Sequence, residues 1–107
     1  MPGEVQCLKG MAKYDEVVNS GNAVMIHFMA AYNNQCQLVG PVFKSMAERY
    51  PGMECYYVDV DADQAIADKA GVRAMPYFVA FKDGKKVDEF SLGANRTKLQ
   101  QLCEKIA

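Results

Sequence analysis

The fold of this chain is decided by the stretch AVMIHFMAAYNNQC, residues 23–36. Its first seven residues are apolar except for His27, which is typical of a strand that is buried on both faces of a sheet. A helix-like run follows at 37–50, and it ends before a Pro-Gly pair. We therefore predict a buried strand, a short turn at 32–35 and then a helix.

A turn of this kind, between a strand and a helix, is a common position for a Cys-x-x-Cys redox pair. Here Cys36 occupies the second cysteine position and Asn33 occupies the first. An amide cannot attack a disulfide or close one with a neighbouring thiol, because both steps need a thiolate. The stretch therefore predicts the frame of a redox protein without its two-thiol chemistry.

The rest of the chain alternates between strand and helix patterns. A hairpin signal at Asp83-Gly84, a helix C-cap at Gly71 and an N-cap at Asn95 separate the segments. The predicted strands are 4–8, 23–29, 53–60, 77–82 and 86–91, and the predicted helices are 11–19, 37–50, 61–70 and 96–106. This order predicts one α/β domain over residues 1–107, with a parallel sheet and an antiparallel edge.

Composition excludes several classes of partner. Twelve basic and thirteen acidic residues give a net charge of -1 with no basic stripe, so we expect no nucleic-acid binding. No apolar run is long enough to cross a bilayer and no signal peptide is evident, so we expect a cytoplasmic protein without a membrane contact. In a reducing compartment the four cysteines should be free thiols, although two disulfides are also allowed by the count. Their spacing predicts no metal site, and we expect no cofactor.

Several of these residues, in their order and spacing, resemble the thioredoxin family across almost the whole chain. The matching residues are Phe28, Ala30, Tyr32, Cys36, Pro41, 58–61, 72–76, Gly84, Phe90 and 93–95. The resemblance implies a thioredoxin fold, which is a central mixed five-stranded sheet in the order 1-3-2-4-5 flanked by four helices. It also implies a cis peptide bond before Pro76.

The same resemblance implies a groove that binds a client protein or peptide in an extended conformation. The residues expected to line it are Tyr32, Asn33, Asn34, Gln35, Met75, Pro76, Gly93 and Ala94. Beneath the groove, His27 and Tyr57 stand where the family often has an aspartate and a lysine. We expect these two side chains to form a neutral hydrogen-bonded pair on neighbouring strands.

Two interpretations of His27 and Cys36 follow. In the first they are catalytic: an imidazolium and the positive end of the helix both stabilise a Cys36 thiolate. In the second, His27 is a core histidine with its hydrogen bonds satisfied, and Cys36 is a small apolar residue whose pKa is raised by burial.

The functional prediction depends on Asn33, which replaces the family's attacking cysteine. We predict that the protein is not a dithiol–disulfide reductase and that it is a peptide-binding module. The alternative is a monothiol redox protein in which Cys36 forms mixed disulfides with a client, with glutathione or with a thiol reductase. We therefore do not expect an enzyme; any activity should be that of a monothiol oxidoreductase. A fold whose groove binds nothing is a third interpretation.

Overall fold

Five strands and four helices lie within residues 3–91 and 95–107, the part of the chain that the computed structural model describes. The strands are β1 (Val5–Cys7), β2 (Val24–Met29), β3 (Glu54–Asp59), β4 (Tyr77–Lys82) and β5 (Lys85–Phe90). The helices are α1 (Met11–Val18), α2 (Asn34–Arg49), α3 (Gln64–Ala70) and α4 (Arg96–Ile106).

The five strands form one mixed sheet in the order β1-β3-β2-β4-β5. β3 is parallel to β1 and to β2, whereas β4 is antiparallel to both β2 and β5. Parallel neighbours need a crossover connection, and α1 and α2 provide it on the two faces of the sheet. The predicted α/β class, the strand order and the four flanking helices are confirmed.

The sheet separates two apolar clusters, and successive residues of β2 point into different ones. Met25 packs with α2 and α4, whereas Val24 and Ile26 pack with α1 and α3. This alternation follows from the period of two along a strand. It explains why β2 lacks the polar positions of a half-exposed strand. His27 lies on the side of Met25, against α2.

Two helix starts differ from the sequence prediction because of polar side chains in the preceding turns. α2 begins at Asn34 rather than at residue 37, since the Asn33 side chain accepts a hydrogen bond from the Cys36 N–H at 2.9 Å and caps the helix. α3 begins at Gln64 rather than at residue 61, because Asp59 accepts hydrogen bonds from the backbone of the next turn. Gly71, in the left-handed conformation at φ 74°, ends α3 as predicted.

The two outer strands of the sheet are unlike the inner ones. β1 has only three residues, and β5 starts with the exposed Lys85 and Lys86. The pairing of β4 with β5 also shifts register between Ala80 and Phe81. Within residues 3–91 and 95–107, no helix has both the length and the apolar character that crossing a membrane requires.

Candidate functional site

The candidate site lies at the sheet edge where β2 ends and β4 begins. Phe28 near the end of β2 is paired with Tyr77, the first residue of the antiparallel β4. The segment after β2, which leads into α2, and the segment before β4 therefore meet at this edge. The Met75–Pro76 peptide bond in the second segment is cis.

Cys36 lies in the first turn of α2, on the side that faces the protein. Its side chain is only 3% exposed. Burial raises the pKa of the Cys36 thiol above its ordinary value, and a hydrogen bond from the Ala30 backbone N–H opposes part of that rise. The positive end of the helix dipole acts in the same direction as Ala30. Because burial is the larger effect, the thiol form dominates at neutral pH.

His27 is buried among aromatic rings. Its imidazole stacks on Phe78 at 4.5 Å between ring centroids and meets the ring of Phe43 edge-on at 5.7 Å. Burial lowers the pKa of His27 to about 4, so the ring is neutral at pH 7. A neutral imidazole has no charge with which to stabilise a Cys36 thiolate. The environment is that of a core histidine, but its Nε2 has no hydrogen-bond partner among the described residues.

The prediction of a hydrogen bond between His27 and Tyr57 has to be corrected. The two residues are register partners on the parallel strands β2 and β3, as expected. However, Tyr57 is also the register partner of Cys7 on β1, and a hydrogen bond with that thiol raises the pKa of the Tyr57 hydroxyl. Tyr57 therefore has a sheet neighbour on each side, and the one that perturbs its hydroxyl is Cys7.

The residues predicted to line the groove are found in several environments. Tyr32 is 77% exposed, and Asn34 and Gln35 are exposed beside it. Asn33 and Met75 are half-buried and Pro76 is buried. Gly93 and Ala94 lie outside the described residues. Peptide binding in this groove stays a prediction.

Sequence reasoning missed one face of α2. Gly40, Phe43 and Lys44 line a cavity of about 620 Å³ together with Cys36 and His27. The signal was present, since positions 36, 40, 43 and 44 recur at the spacing of one helix face. In the described part of the chain all four cysteines are free, and no three His, Cys, Asp or Glu side chains converge as metal ligands.

A mixed β1-β3-β2-β4-β5 sheet, with a cysteine in the first turn of α2 beside a cis-proline segment, defines the class of thioredoxin-fold proteins. The family model for thioredoxin matches residues 5–105. A thioredoxin from Coprinus comatus is 36% identical over 103 residues, which are 94% of this chain and 96% of that protein. The chain belongs to the thioredoxin family.

Solved structures give the same result. The structure of thioredoxin from Fasciola hepatica has a TM-score of 0.89 at 36% identity, covering 95% of this chain and 99% of that one. A second neighbour has a TM-score of 0.90 at 25% identity and covers 97% of both chains. It comes from work on how the thiol of yeast mitochondrial 1-Cys peroxiredoxin is resolved via the glutathione and thioredoxin systems.

These comparisons overturn the functional prediction. We predicted from Asn33 a binding module that is not a disulfide reductase. That prediction is wrong, because the relatives that match nearly the full length of the chain are named thioredoxin, which supports disulfide reduction. One changed residue of the turn does not outweigh a similarity that extends over residues 5–105.

Proposed function

We propose that this protein is an enzyme, a thiol–disulfide oxidoreductase that reduces disulfide bonds in partner proteins, with Cys36 as its reacting thiol. The observation that carries the proposal is the full-length similarity to proteins named thioredoxin, in a chain that keeps a cysteine in the first turn of α2. The segment before β4 at the same edge of the sheet supports it, because backbone at a sheet edge can pair with an extended client peptide.

The stretch 32–36 contains one cysteine, so the proposed reaction takes its second thiol from outside the protein. The Cys36 thiolate attacks one sulfur of the client disulfide, forms a mixed disulfide and releases the other client sulfur as a thiolate. A thiol such as glutathione then displaces the second client sulfur and remains on Cys36. A second glutathione restores Cys36 and leaves as glutathione disulfide, so that two thiols are oxidised for each client disulfide reduced.

We also propose the class of the electron donor and the class of the client. Glutathione or a thiol reductase would supply the electrons, and a protein in an extended conformation would occupy the groove. The neighbouring structure on the glutathione and thioredoxin systems supports a protein disulfide as the client class. Four free cysteines support a reducing compartment, the cytoplasm.

The burial of Cys36 sets the expected rate and its dependence on pH. An unperturbed thiol is already only about 3% thiolate at pH 7. The raised pKa of Cys36 lowers that fraction further. Reduction should therefore be slow at pH 7 and should accelerate as the pH rises towards 9.

The test is the reduction of insulin by glutathione with catalytic amounts of the protein, measured at several pH values. We expect a rate above the glutathione background that increases with pH and disappears in Cys36→Ser. Cys103→Ser is the matched control, because Cys103 is also buried but lies in α4. A native protein that reduces insulin no faster than Cys36→Ser at any of these pH values would refute the proposal.

A further inference from the structure

The segment that joins α3 to β4, residues 72–76, borders the candidate site and carries an exposed arginine. The Val72 N–H donates a hydrogen bond to a carbonyl of α3, and the segment then leads to Tyr77, where β4 begins beside β2. Arg73 and Ala74 are both exposed. The arginine therefore stands in solvent next to the edge of the sheet where the site lies.

Arg73 has no partner for its charge in the described part of the chain. The ion pairs found within residues 3–91 and 95–107 all take their positive charge from a lysine. An arginine carries five N–H donors in a planar fork, which fits the two oxygens of a carboxylate. Arg73 thus brings an unpaired guanidinium to the border of the site.

The backbone of this segment is free to pair with another chain. No backbone hydrogen bond among the described residues involves Arg73, Ala74 or Met75, and the ladder between β2 and β4 begins only at Tyr77. Unpaired N–H and C=O groups beside a sheet are positions where an extended peptide adds its own backbone. A client that pairs here brings its side chains within reach of Arg73.

The opposite side of the site carries a negative charge. Because the sheet order places β2 between β3 and β4, the turn after β2 lies between the end of β3 and the segment before β4. Asp61 follows β3 and is exposed, and a hydrogen bond with its side chain raises the pKa of Tyr32 in that turn. An acidic side chain of a client is therefore repelled beside Tyr32 and attracted beside Arg73.

We propose that Arg73 selects clients that carry an acidic side chain close to the cysteine to be reduced, by forming an ion pair with that side chain. This inference rests on the proposed function, because it names the client class of the same site. Binding through Arg73 requires no thiol. It can therefore be measured separately from disulfide reduction, and the two proposals can fail separately.

The probes are three short peptides that have serine in place of the reacting cysteine. One has Gln on both sides of the serine, one has Glu on the N-terminal side only, and one has Glu on the C-terminal side only. Binding to the native chain is measured at low ionic strength from the NMR amide signals of Ala74 and Met75.

We expect one Glu peptide to bind about threefold more tightly than the Gln peptide, which is the effect of an exposed ion pair. The other Glu peptide should bind no better than the Gln peptide, because its acid lies towards Asp61. Equal binding of all three peptides, or binding of none, would overturn the proposal.

Arg73→Gln removes the charge at a position whose side chain has no partner among the described residues, so this variant should remain folded. The favoured Glu peptide should then bind no better than the Gln peptide. Lys82→Gln is the matched control, because Lys82 is also exposed but lies at the other end of β4, away from the site. A preference that persists in Arg73→Gln, or that is lost in Lys82→Gln, would refute the role of Arg73.

The insulin assay separates the two proposals. A native chain that prefers the Glu peptide but fails to reduce insulin would refute the proposed enzyme and support the contact at Arg73. A native chain that reduces insulin but shows no preference among the peptides would refute the contact alone.

Discussion

His27 shows how one buried side chain connects stability to pH. Its pKa falls to about 4 in the folded protein, from an ordinary value of 6.5. Between these values the unfolded chain binds a proton at this position and the folded chain does not. Stability should therefore be unaffected by His27 above pH 6.5 and should decrease as the pH falls towards 4.

We predict that the protein loses about 2 to 3 kcal/mol of folding free energy between pH 7 and pH 4.5, and that this loss depends on His27. Urea unfolding of the native chain and of His27→Phe at both pH values measures it. Phenylalanine keeps an aromatic ring between Phe43 and Phe78 but cannot be protonated. Equal losses in both proteins would contradict the prediction.

The sequence placed His27 on a buried strand beside Tyr57, because strand alternation and the family resemblance determine which residues are neighbours. The sequence could not show which neighbour forms a hydrogen bond with Tyr57. That depends on the direction of the Tyr57 side chain, which has sheet neighbours on both sides, and one of them is Cys7. The second of the two interpretations foresaw the burial of Cys36 and of His27. It did not foresee that the His27 Nε2 has no hydrogen-bond partner among the described residues.

The first turn of α2 is the element on which the proposed chemistry depends. Its cap is the hydrogen bond from the Cys36 N–H to the Asn33 side chain at 2.9 Å. Asn33→Ala should lower the free energy of unfolding by about 1 kcal/mol, since alanine leaves this helix donor without an acceptor. Urea unfolding measures the change. Asn34→Ala is the control, because Asn34 is exposed one position later, and an equal effect there would show that the cap is unimportant.

A second thiol in this turn tests the reaction itself. The variant Asn33→Cys with Gln35→Pro should reduce insulin about tenfold faster than the native chain, because the second thiol then acts within the molecule. Proline is tolerated in the first turn of a helix. Adding Cys36→Ser to this variant should remove the gain. A rate unchanged from the native chain would show that the surroundings of the turn, and not the missing thiol, limit the reaction.

Element boundaries were predictable where a backbone signal determines them. Gly71 and Asn95 end α3 and begin α4 at the residues expected from their capping preferences. The starts of α2 and α3 were displaced by three residues, because Asn33 and Asp59 form side-chain hydrogen bonds that hydrophobic periodicity does not reveal. The face of α2 with Gly40 and Lys44 was missed for a different reason, because neither residue belongs to a cap, turn or redox pattern.

At the scale of the whole molecule, the sheet divides the core into two clusters that share no residue. Ile66 of α3 belongs to one and Leu99 of α4 to the other, and both are fully buried. The alternating order of strands and helices indicated this three-layer arrangement. The strand order came from the resemblance, because local patterns do not specify which strands pair.

Substitutions on opposite faces of the sheet should therefore be additive. We expect Ile66→Val to cost about 1 kcal/mol and Leu99→Ala about 3 kcal/mol of unfolding free energy. The double variant should lose the sum within about 0.5 kcal/mol. Ile106→Val with Leu99→Ala is the matched pair within one cluster, where a larger coupling is expected. Urea unfolding of all the variants measures these free energies. Strong coupling between substitutions on opposite faces of the sheet would show that the two clusters are not independent.

The outer strands have a consequence for how copies of this molecule behave when concentrated. A neighbouring copy that tried to extend the sheet at β1 would find a run of only three residues. At β5 it would meet the exposed Lys85 and Lys86, and a second strand added there would have to cover these charged side chains, which is unfavourable. Ribbon-like stacking of monomers into fibrils is thereby opposed at both ends of the sheet, and the same protection would operate during folding, before the helices have covered the sheet faces.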